Sequence, residues 1–329
     1  MNLIFLLSDP VDLSPVLPEP IPPEIYPCPE GRWFDRVFDE FEQYFPDAFH
    51  FVIDGCPKPV YYRVENGPDA DLLNIPTSSL FPKLFLFSAF SRAFHADPFS
   101  LFVPAALSYE SIDPFAIAVR RLQKQAQGAP GITFFPARDG ISDGRWLEAG
   151  ETIGGRDGVE FCAVRSFLSR AEVSAAREKS PDRRFYPVPG VLALNTFDFA
   201  EALCEKEDSW RELFYLLVNA WKDGRSIGTA MREVITALEG QSLEDALSGG
   251  MDRFVCPVDG GIEELSGLDG LLRMLPRDGD GNYTEGEAHI ENVRGSLVIA
   301  HEDASIRVSG LSNVCCLAAD GSSRFCRIR

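Results

Sequence analysis

The sequence lacks any excess of basic residues. Its 329 residues include 31 Lys and Arg against 50 Asp and Glu, which gives a formal net charge of −19. Nucleic acids and anionic membranes carry dense negative charge, and a protein binds them through a net cationic face. We therefore expect neither a nucleic acid nor a membrane as a general partner of this chain.

Metal-binding and disulfide patterns are also missing. The eight cysteines include no C-x-x-C pair, and the four histidines form no H-x-x-H or H-E-x-x-H motif. Zinc sites and redox motifs need such spacings, so no cofactor is expected and the cysteines are predicted to be reduced, mostly buried thiols. They are Cys28, Cys56, Cys162, Cys204, Cys256, Cys315, Cys316 and Cys326.

Long hydrophobic runs are absent as well. No apolar stretch reaches the roughly 18 residues that a membrane-spanning helix needs. The opening stretch 1–7 is apolar apart from Asn2, but it contains no Lys or Arg, and Ser8-Asp9-Pro10 ends it. Without a positively charged start it is unlike a signal peptide, so we predict a buried first strand and a cytoplasmic location.

Proline is concentrated near the start, where eight prolines lie between residues 10 and 29. Because proline fixes φ and removes a backbone donor, 10–29 is predicted to be an extended loop directly after the first strand. Farther along, short apolar strands alternate with helical patterns. This alternation predicts an α/β fold with a mixed, mostly parallel sheet and helices on both faces. The predicted strands are 49–53, 100–104, 131–135, 161–167 and 190–194, and the predicted helices are 32–45, 85–94, 113–127, 197–204, 208–222, 227–239, 242–248 and 266–275. Thr196 is predicted to cap the helix 197–204.

The pattern changes after residue 276. Strand-like runs at 288–292, 296–300, 306–309 and 314–318 follow one another without a helical pattern between them. We therefore predict a large α/β domain over 1–276 and a small β-rich domain over 277–329. The run Asp278-Gly-Asp-Gly-Asn282 is similar to part of a calcium loop, but no Glu stands at its twelfth position, so a turn is favoured.

Several short motifs stand in an order that a known family shares. Val103-Pro-Ala-Ala-Leu107 corresponds to L-P-A-D-H in that family, and Gly144-Arg-Trp-Leu-Glu-Ala-Gly150 to G-Y-G-Y-I-E-x-G. Farther on, Ser242-Leu-Glu-Asp-Ala-Leu247 corresponds to S-I-D-Y-A-V-M-E, the run 256–271 to V-P-L-D-A-G-W-S-D-V-G-S-W-D-A-L, and 278–282 to D-x-D-G-N. This series resembles the mannose-1-phosphate guanylyltransferases, or GDP-mannose pyrophosphorylases, over nearly the whole chain.

The resemblance implies a nucleotidyltransferase fold of the Rossmann-like, GT-A type. In such a site a sugar phosphate attacks the α-phosphorus of a bound nucleoside triphosphate. A glycine-rich loop and cations hold the phosphates, and carboxylates seat Mg²⁺. The family's loop, G-G-x-G-T-R-L-x-P, falls on Leu7-Ser-Asp-Pro-Val-Asp-Leu-Ser-Pro15. Every glycine of that loop is missing here, and Asp12 stands where the resemblance places a phosphate-binding Arg.

The other departures fall on the same chemistry. The metal-binding Asp of that family and its neighbouring His correspond to Ala106 and Leu107, and the second metal carboxylate corresponds to Glu264. The Lys that contacts the sugar phosphate corresponds to Arg170. We assign no catalytic residue, and treat Asp12, Ala106, Leu107, Arg170 and Glu264 as vestigial positions. The candidate substrate-binding residues are Arg170, Gly190, Asp245 and Glu264, and only Glu264 is a candidate metal ligand.

A group of basic residues supports one further hypothesis. Arg177, Lys179, Arg183 and Arg184 fall on a predicted loop that, by the resemblance, flanks the sugar side of the cleft. A residual anion site there is one interpretation.

Three hypotheses for the function follow. The first, which we favour, is a degenerate and catalytically inactive transferase that acts as a regulatory or structural partner, as inactive paralogues in that family can. The second is a working transferase that uses Mg²⁺ and altered site residues to make a nucleotide sugar of the GDP-mannose type for polysaccharide synthesis. The third is a protein-interaction module unrelated to nucleotides. The expected partners are a second copy of this chain or another protein, with an active paralogue as one candidate. A nucleotide or sugar phosphate is the candidate small ligand.

Overall fold

The structure is a computed structural model. It describes the chain except positions 15, 18, 19, 27–31, 56–69, 126–130, 137–145, 157, 158, 188–190, 225, 249, 250, 266, 302, 303, 320 and 329. The candidate Gly190, as well as Cys28 and Cys56, therefore lie outside the described residues.

Strands of the described chain form one large sheet and three smaller ones. They are β1 (Asn2–Leu6), β2 (Phe49–Asp54), β3 (Asp71–Asn74), β4 (Phe99–Pro104), β5 (Leu107–Ser108), β6 (Ile132–Phe134), β7 (Trp146–Arg156), β8 (Val159–Leu168), β9 (Arg184–Pro187), β10 (Leu192–Asn195), β11 (Arg253–Val255), β12 (Glu263–Glu264), β13 (Tyr283–Glu285), β14 (Glu287–Glu291), β15 (Leu297–Ala300), β16 (Ser305–Ser309), β17 (Val314–Ala319) and β18 (Ser322–Arg327).

The helices of the described chain lie between these strands along the sequence, and α1 follows β1 after the long segment 7–32. They are α1 (Trp33–Tyr44), α2 (Leu80–Phe94), α3 (Asp113–Gln125), α4 (Arg170–Lys179), α5 (Thr196–Lys206), α6 (Asp208–Asp223), α7 (Ile227–Ala237), α8 (Leu243–Leu247) and α9 (Gly267–Met274), together with a 3₁₀ turn at Pro23–Ile25. None of the helices in the described ranges is long and apolar enough to cross a membrane.

The large sheet has the strand order β3-β2-β1-β4-β10-β6-β11-β8-β7-β9. Its β3-β2-β1-β4 half is parallel throughout. Strands β10, β8 and β9 run against the other described strands of this sheet. The predicted mixed, mostly parallel α/β sheet is therefore confirmed.

Both faces of the sheet are covered, because the central strands are apolar at every second position on each side. Leu3 and Phe5 of β1 face a core formed with α1 and α3, whereas Ile4 and Leu6 face a core formed with α2 and α5–α8. Phe5 lies at the centre of the first core, with its ring 5.2–6.0 Å from the rings of Phe34, Phe38 and Phe41. The opening apolar stretch is a buried strand, as predicted.

The C-terminal strands form small sheets with few intervening residues. β13, β15 and β17 pair in parallel and β18 joins β17 in the antiparallel sense, while β14 pairs with β16. Gly286 makes the turn between β13 and β14 at φ 72°, where a Cβ would lie 1.7 Å from the Ala300 carbonyl oxygen. Leu297 and Leu317 belong to the same core as Phe5, so the four-stranded sheet packs on the large one. The division at residue 276 stays a prediction.

The start of α5 differs from the expectation. This helix is capped by Asn195, whose side chain accepts the N–H groups of Phe197 and Asp198, so the predicted Thr196 cap is wrong. Thr196 is itself helical and buried.

Three further local expectations can be compared with the structure. Arg177 and Lys179 lie on α4 and not on a loop, because Ser169 and Glu172 form a capping box that starts this helix. The run 278–282 is a turn, as predicted, and the carboxylate of its first residue accepts the N–H groups of the third and fifth. Four of the described cysteines are buried, in line with the prediction, and two are half-buried.

Candidate functional site

The carboxyl ends of β1 and β4 define the candidate site. The two strands are parallel neighbours whose last residues, Leu6 and Pro104, lie opposite each other. The Leu6 carbonyl accepts the Ala105 N–H at 2.8 Å, which holds the two following loops together. In open α/β sheets, ligands bind in the crevice beyond the carboxyl ends of the strands. Whatever follows β1 and β4 therefore determines what this crevice can bind.

The segment after β1 folds back over this edge. Val11 and Ile21 exchange backbone hydrogen bonds of 2.8 and 3.2 Å, and Leu13, Val16 and Ile21 are buried in the core. The predicted extended loop over 10–29 is thus largely irregular where it is described, although it contains this bridge and the 3₁₀ turn. The turn packs against α1 and α9, and this packing places it beside the end of β1.

Glu24 lies in this turn, next to the end of β1. It is fully buried, and its Oε1 accepts the N–H of Ser8 at 2.6 Å. Its Oε2 is also buried and has no hydrogen-bond partner among the described residues. Burial raises the pKa of Glu24 to about 7; the Ser8 N–H opposes the rise and the charge of Glu264 adds to it.

Asp12 lies on the outer side of the same segment. Its carboxylate accepts the Ser14 N–H at 3.0 Å and forms an ion pair with Arg324 of β18. The Ser14 backbone N–H, followed by the Ser14 side chain, lowers the pKa of Asp12. Arg324 also donates to the Asp12 carbonyl oxygen at 3.1 Å. Asp12 therefore fastens the segment to the last strand.

Ala106 and Leu107 follow β4 and are both buried. Ala106 packs with Leu265 and Met274, and its carbonyl oxygen accepts the Leu265 N–H at 2.8 Å. The Leu107 carbonyl oxygen accepts the indole N–H of Trp33 at 3.1 Å. Apolar side chains with engaged carbonyl oxygens fill the position after β4, so neither residue offers a metal ligand.

Glu264 lies on β12, directly opposite Leu107 of β5. Its side chain is exposed, and it is close enough to Glu24 to raise the pKa of that carboxyl. The neighbouring Glu263 is engaged by a two-pronged pair with the Arg273 guanidinium. The structure thus brings Ala106, Leu107 and Glu264 together with Glu24, whereas Asp12 contacts Ser14 and Arg324 of β18. No group of three or more His, Cys, Asp or Glu suited to a metal occurs among the described residues.

Arg170 and Asp245 lie elsewhere. Arg170 begins α4 after β8, and β8 is five strands from β1 in the sheet order, or roughly 24 Å at the usual strand spacing. Asp245 lies in α8, where its carboxylate accepts a hydrogen bond from the Ser242 hydroxyl at 2.7 Å. Its backbone N–H donates to the hydroxyl oxygen of Ser242. It acts as part of a helix cap there.

The basic group near α4 is engaged by the protein itself. Arg183 pairs with the carboxylate of Glu148, Arg184 pairs with Glu160 at 2.9 Å, and Arg177 stacks 5.3 Å from the Trp146 ring. These contacts direct the three guanidinium groups to protein partners and do not support the anion site.

Sequence reasoning missed Glu24. The signal in the sequence is weak: Glu24 is a single acid in the run Pro22-Pro23-Glu24-Ile25-Tyr26, and only the adjacent Ile25 is of a type that is usually buried. The contact with Ser8 depends on how the chain returns, which no local pattern encodes.

Comparison with solved structures identifies the fold. The chain matches the crystal structure of mannose-1-phosphate geranyltransferase from Thermus thermophilus with a TM-score of 0.67 at 16% identity, over 99% of this chain and 94% of that one. It also matches mannose-6-phosphate isomerase from Helicobacter pylori with a TM-score of 0.52 at 11% identity, over 80% of this chain and 100% of that one. The chain has the fold of these structures. No protein-family model matches the sequence, and a comparison with curated proteins gives no match.

Proposed function

We propose that this chain is a catalytically inactive protein with a sugar nucleotidyltransferase fold, which acts as a regulatory or structural partner of another protein. The observation that carries the proposal is the Glu24 carboxyl at the end of β1, where it accepts the Ser8 N–H. A nucleotidyltransferase would use backbone N–H groups at this place to hold phosphate oxygens. In this chain an oxygen of its own already occupies the donor.

Negative charge on the segment after β1 also opposes a triphosphate, because Asp12 stands where the resemblance implies a phosphate-binding Arg. Two unit charges 4 Å apart interact with about 4 kcal/mol at an effective dielectric near 20. Asp12 replaces an attraction by a repulsion, and its Arg324 partner cancels only part of the charge because both side chains are half exposed. Glu24 adds further negative charge whenever it is ionised.

The metal position argues in the same direction. Mg²⁺ is usually held by one or two carboxylates together with substrate phosphates and water. Ala106 and Leu107 provide no carboxylate, so Glu264 would have to act alone. The likeness to the Thermus structure covers nearly all of both chains. This combination of a retained fold and altered site residues favours a role as a partner of another protein over catalysis.

A sensitive test is pyrophosphate release from GTP and mannose 1-phosphate with Mg²⁺. We expect no release above that of a protein-free blank, and no change in Glu264→Gln. Turnover that is lost in Glu264→Gln but kept in Asp245→Asn would overturn the proposal, because Asp245 is a carboxylate in the cap of α8 and tests for non-specific damage.

The second candidate, an active transferase with altered residues, rests on one observation. Glu264 keeps an exposed carboxylate at the same sheet edge as the end of β1. The assay above decides between the two. The partner role is tested by adding the inactive chain to an active sugar nucleotidyltransferase from the same organism. A change in its rate, or co-elution with it, is expected. If the rate stays the same and the two proteins do not co-elute, the result would favour an interaction module unrelated to nucleotides.

A further inference from the structure

Two cysteines lie directly opposite each other in the last hairpin. Cys315 of β17 pairs with Cys326 of β18 in the antiparallel register. Residues directly opposite in such a ladder have Cα atoms roughly 4.5–5.5 Å apart. Disulfides need a Cα separation of about 4.4–6.8 Å, so this pair can be joined with little backbone movement.

The two thiols also share one face of the sheet. Cys315 belongs to the core formed with α1 and α3, and Cys326 packs against that core. Burial, followed by the neighbouring Cys326 thiol, raises the pKa of Cys315. Cys316 faces the opposite side, where it packs with Val298 and Val308. The adjacent Cys316 therefore provides a matched control with the same local sequence.

We propose that Cys315 and Cys326 form an oxidant-responsive disulfide when the protein meets a hydroperoxide. Cys326 is half-buried, whereas Cys315 is 1% exposed, so Cys326 reacts first. With hydrogen peroxide, the Cys326 thiolate attacks one oxygen, the O–O bond breaks, and the leaving hydroxide takes up the proton that Cys326 lost, which gives a sulfenic acid and one water. The Cys315 sulfur then attacks the sulfenic sulfur, the S–O bond breaks, and the leaving hydroxide takes the Cys315 proton to form a second water. Two thiols lose two electrons in total, and hydrogen peroxide is reduced to two waters.

The bond would have a structural consequence at the candidate site. β18 is an edge strand held only by β17 in its sheet, among the described residues, and it carries Arg324, which binds Asp12. Linking β18 to β17 covalently fixes the strand that fastens the segment over the β1 end. We therefore infer that oxidation holds this segment in place more firmly than the reduced state does.

The test uses the full-length protein, treated with hydrogen peroxide, quenched, and alkylated under denaturing conditions. Trypsin cleavage after Arg324 places Cys326 on a peptide separate from Cys315 and Cys316. We expect these two peptides to be linked in the wild type and in Cys316→Ser, and to stay separate in Cys326→Ser and Cys315→Ser. A link that disappears in Cys316→Ser, a link only between molecules, or oxidation to sulfinic acid without a link would overturn the proposal.

Hydrogen exchange gives a second readout that does not need the core variant Cys315→Ser to fold. In oxidised wild type and oxidised Cys316→Ser, the amides of β18 and of residues 11–14 should exchange more slowly than in the reduced proteins. Oxidised Cys326→Ser should show no such slowing. Equal exchange in oxidised and reduced wild type with the link present would contradict the inferred effect on the segment.

Discussion

At the residue scale, Glu24 makes stability depend on pH. Its pKa is about 7 in the folded chain against 4.5 as the ordinary value. Between these values the folded state binds more protons than the unfolded state, so the free energy of unfolding falls as pH rises from about 4.5 to about 7. The full loss is on the order of 3 kcal/mol, and it is complete at every pH above this window.

The variant Glu24→Gln should remove this dependence, because glutamine resembles the protonated acid. We expect urea unfolding to show the variant gaining stability relative to the wild type between pH 5 and pH 8. Other groups titrate equally in both proteins, so the difference isolates Glu24. Parallel curves for the two proteins over that range would contradict the assignment.

The Asp12–Arg324 pair has a different expected signature. Both side chains are partly exposed, and exposed ion pairs contribute about 1 kcal/mol or less. Arg324→Ala should therefore change overall stability little, while amide exchange at residues 11–14 becomes faster. The exposed Arg327→Ala on the same strand is the control. If Arg324→Ala leaves the exchange of that segment as it was, Arg324 does not fasten it.

The aromatic packing around β1 should contribute more to the free energy of unfolding than this ion pair does. Phe5 is fully buried among three other phenylalanine rings, whereas Phe49 is 64% exposed. Phe5→Ala should lower the free energy of unfolding by about 3–5 kcal/mol. Phe49→Ala should stay within roughly 0.5 kcal/mol of the wild type, as surface substitutions do. Chemical unfolding of the two variants side by side checks the placement of the first core.

At the scale of elements, the start of α5 separates two cap assignments. Asn195 accepts two N–H groups at 3.0 and 3.3 Å, so Asn195→Ala should cost about 1 kcal/mol of stability. Comparison with the exposed, non-capping Asn219→Ala, measured by thermal unfolding, gives the reference. Equal stability of the two variants would remove Asn195 from the capping role.

Elements with strong local patterns were predictable from the sequence. The apolar faces of α1 and α6 repeat at helical spacing, and β1 and β4 are continuous apolar runs, so their type and place follow from periodicity. Short or mixed elements were missed. β5 and β12 have two residues each and are strands only because they pair with each other. β7 contains several glycines, and glycine disfavours strands. Their stability comes from tertiary contacts.

The residues that the candidate site lacks could be predicted from the sequence, but the residues that occupy it instead could not. The missing glycines and the apolar Ala106 and Leu107 can be read directly from the chain. Glu24 could not be found in the same way, because its contact with Ser8 joins residues 16 positions apart in the chain. Asp12 meets a partner 312 residues away, which likewise depends on the complete fold.

At the scale of the whole molecule, the fold is retained while residues of the chain itself cover the carboxyl ends of β1 and β4. The chain matches the fold of the Thermus structure over 99% of its length with a TM-score of 0.67. The carboxyl ends of β1 and β4 are met by a buried acid and apolar side chains. We therefore propose that the crevice does not bind a nucleoside triphosphate.

Thermal unfolding with GTP, other nucleoside triphosphates, GDP-mannose and sugar phosphates, each with and without Mg²⁺, tests this claim most directly. A ligand present at about 100 times its dissociation constant stabilises a protein by roughly 2.7 kcal/mol, which raises the midpoint of thermal unfolding of a 329-residue chain by about 4 °C. We predict no shift with any of these compounds. A clear shift with one nucleotide that depends on Mg²⁺ and is lost in Glu264→Gln would contradict it, because the crevice would then bind the ligand that its own residues are argued to exclude.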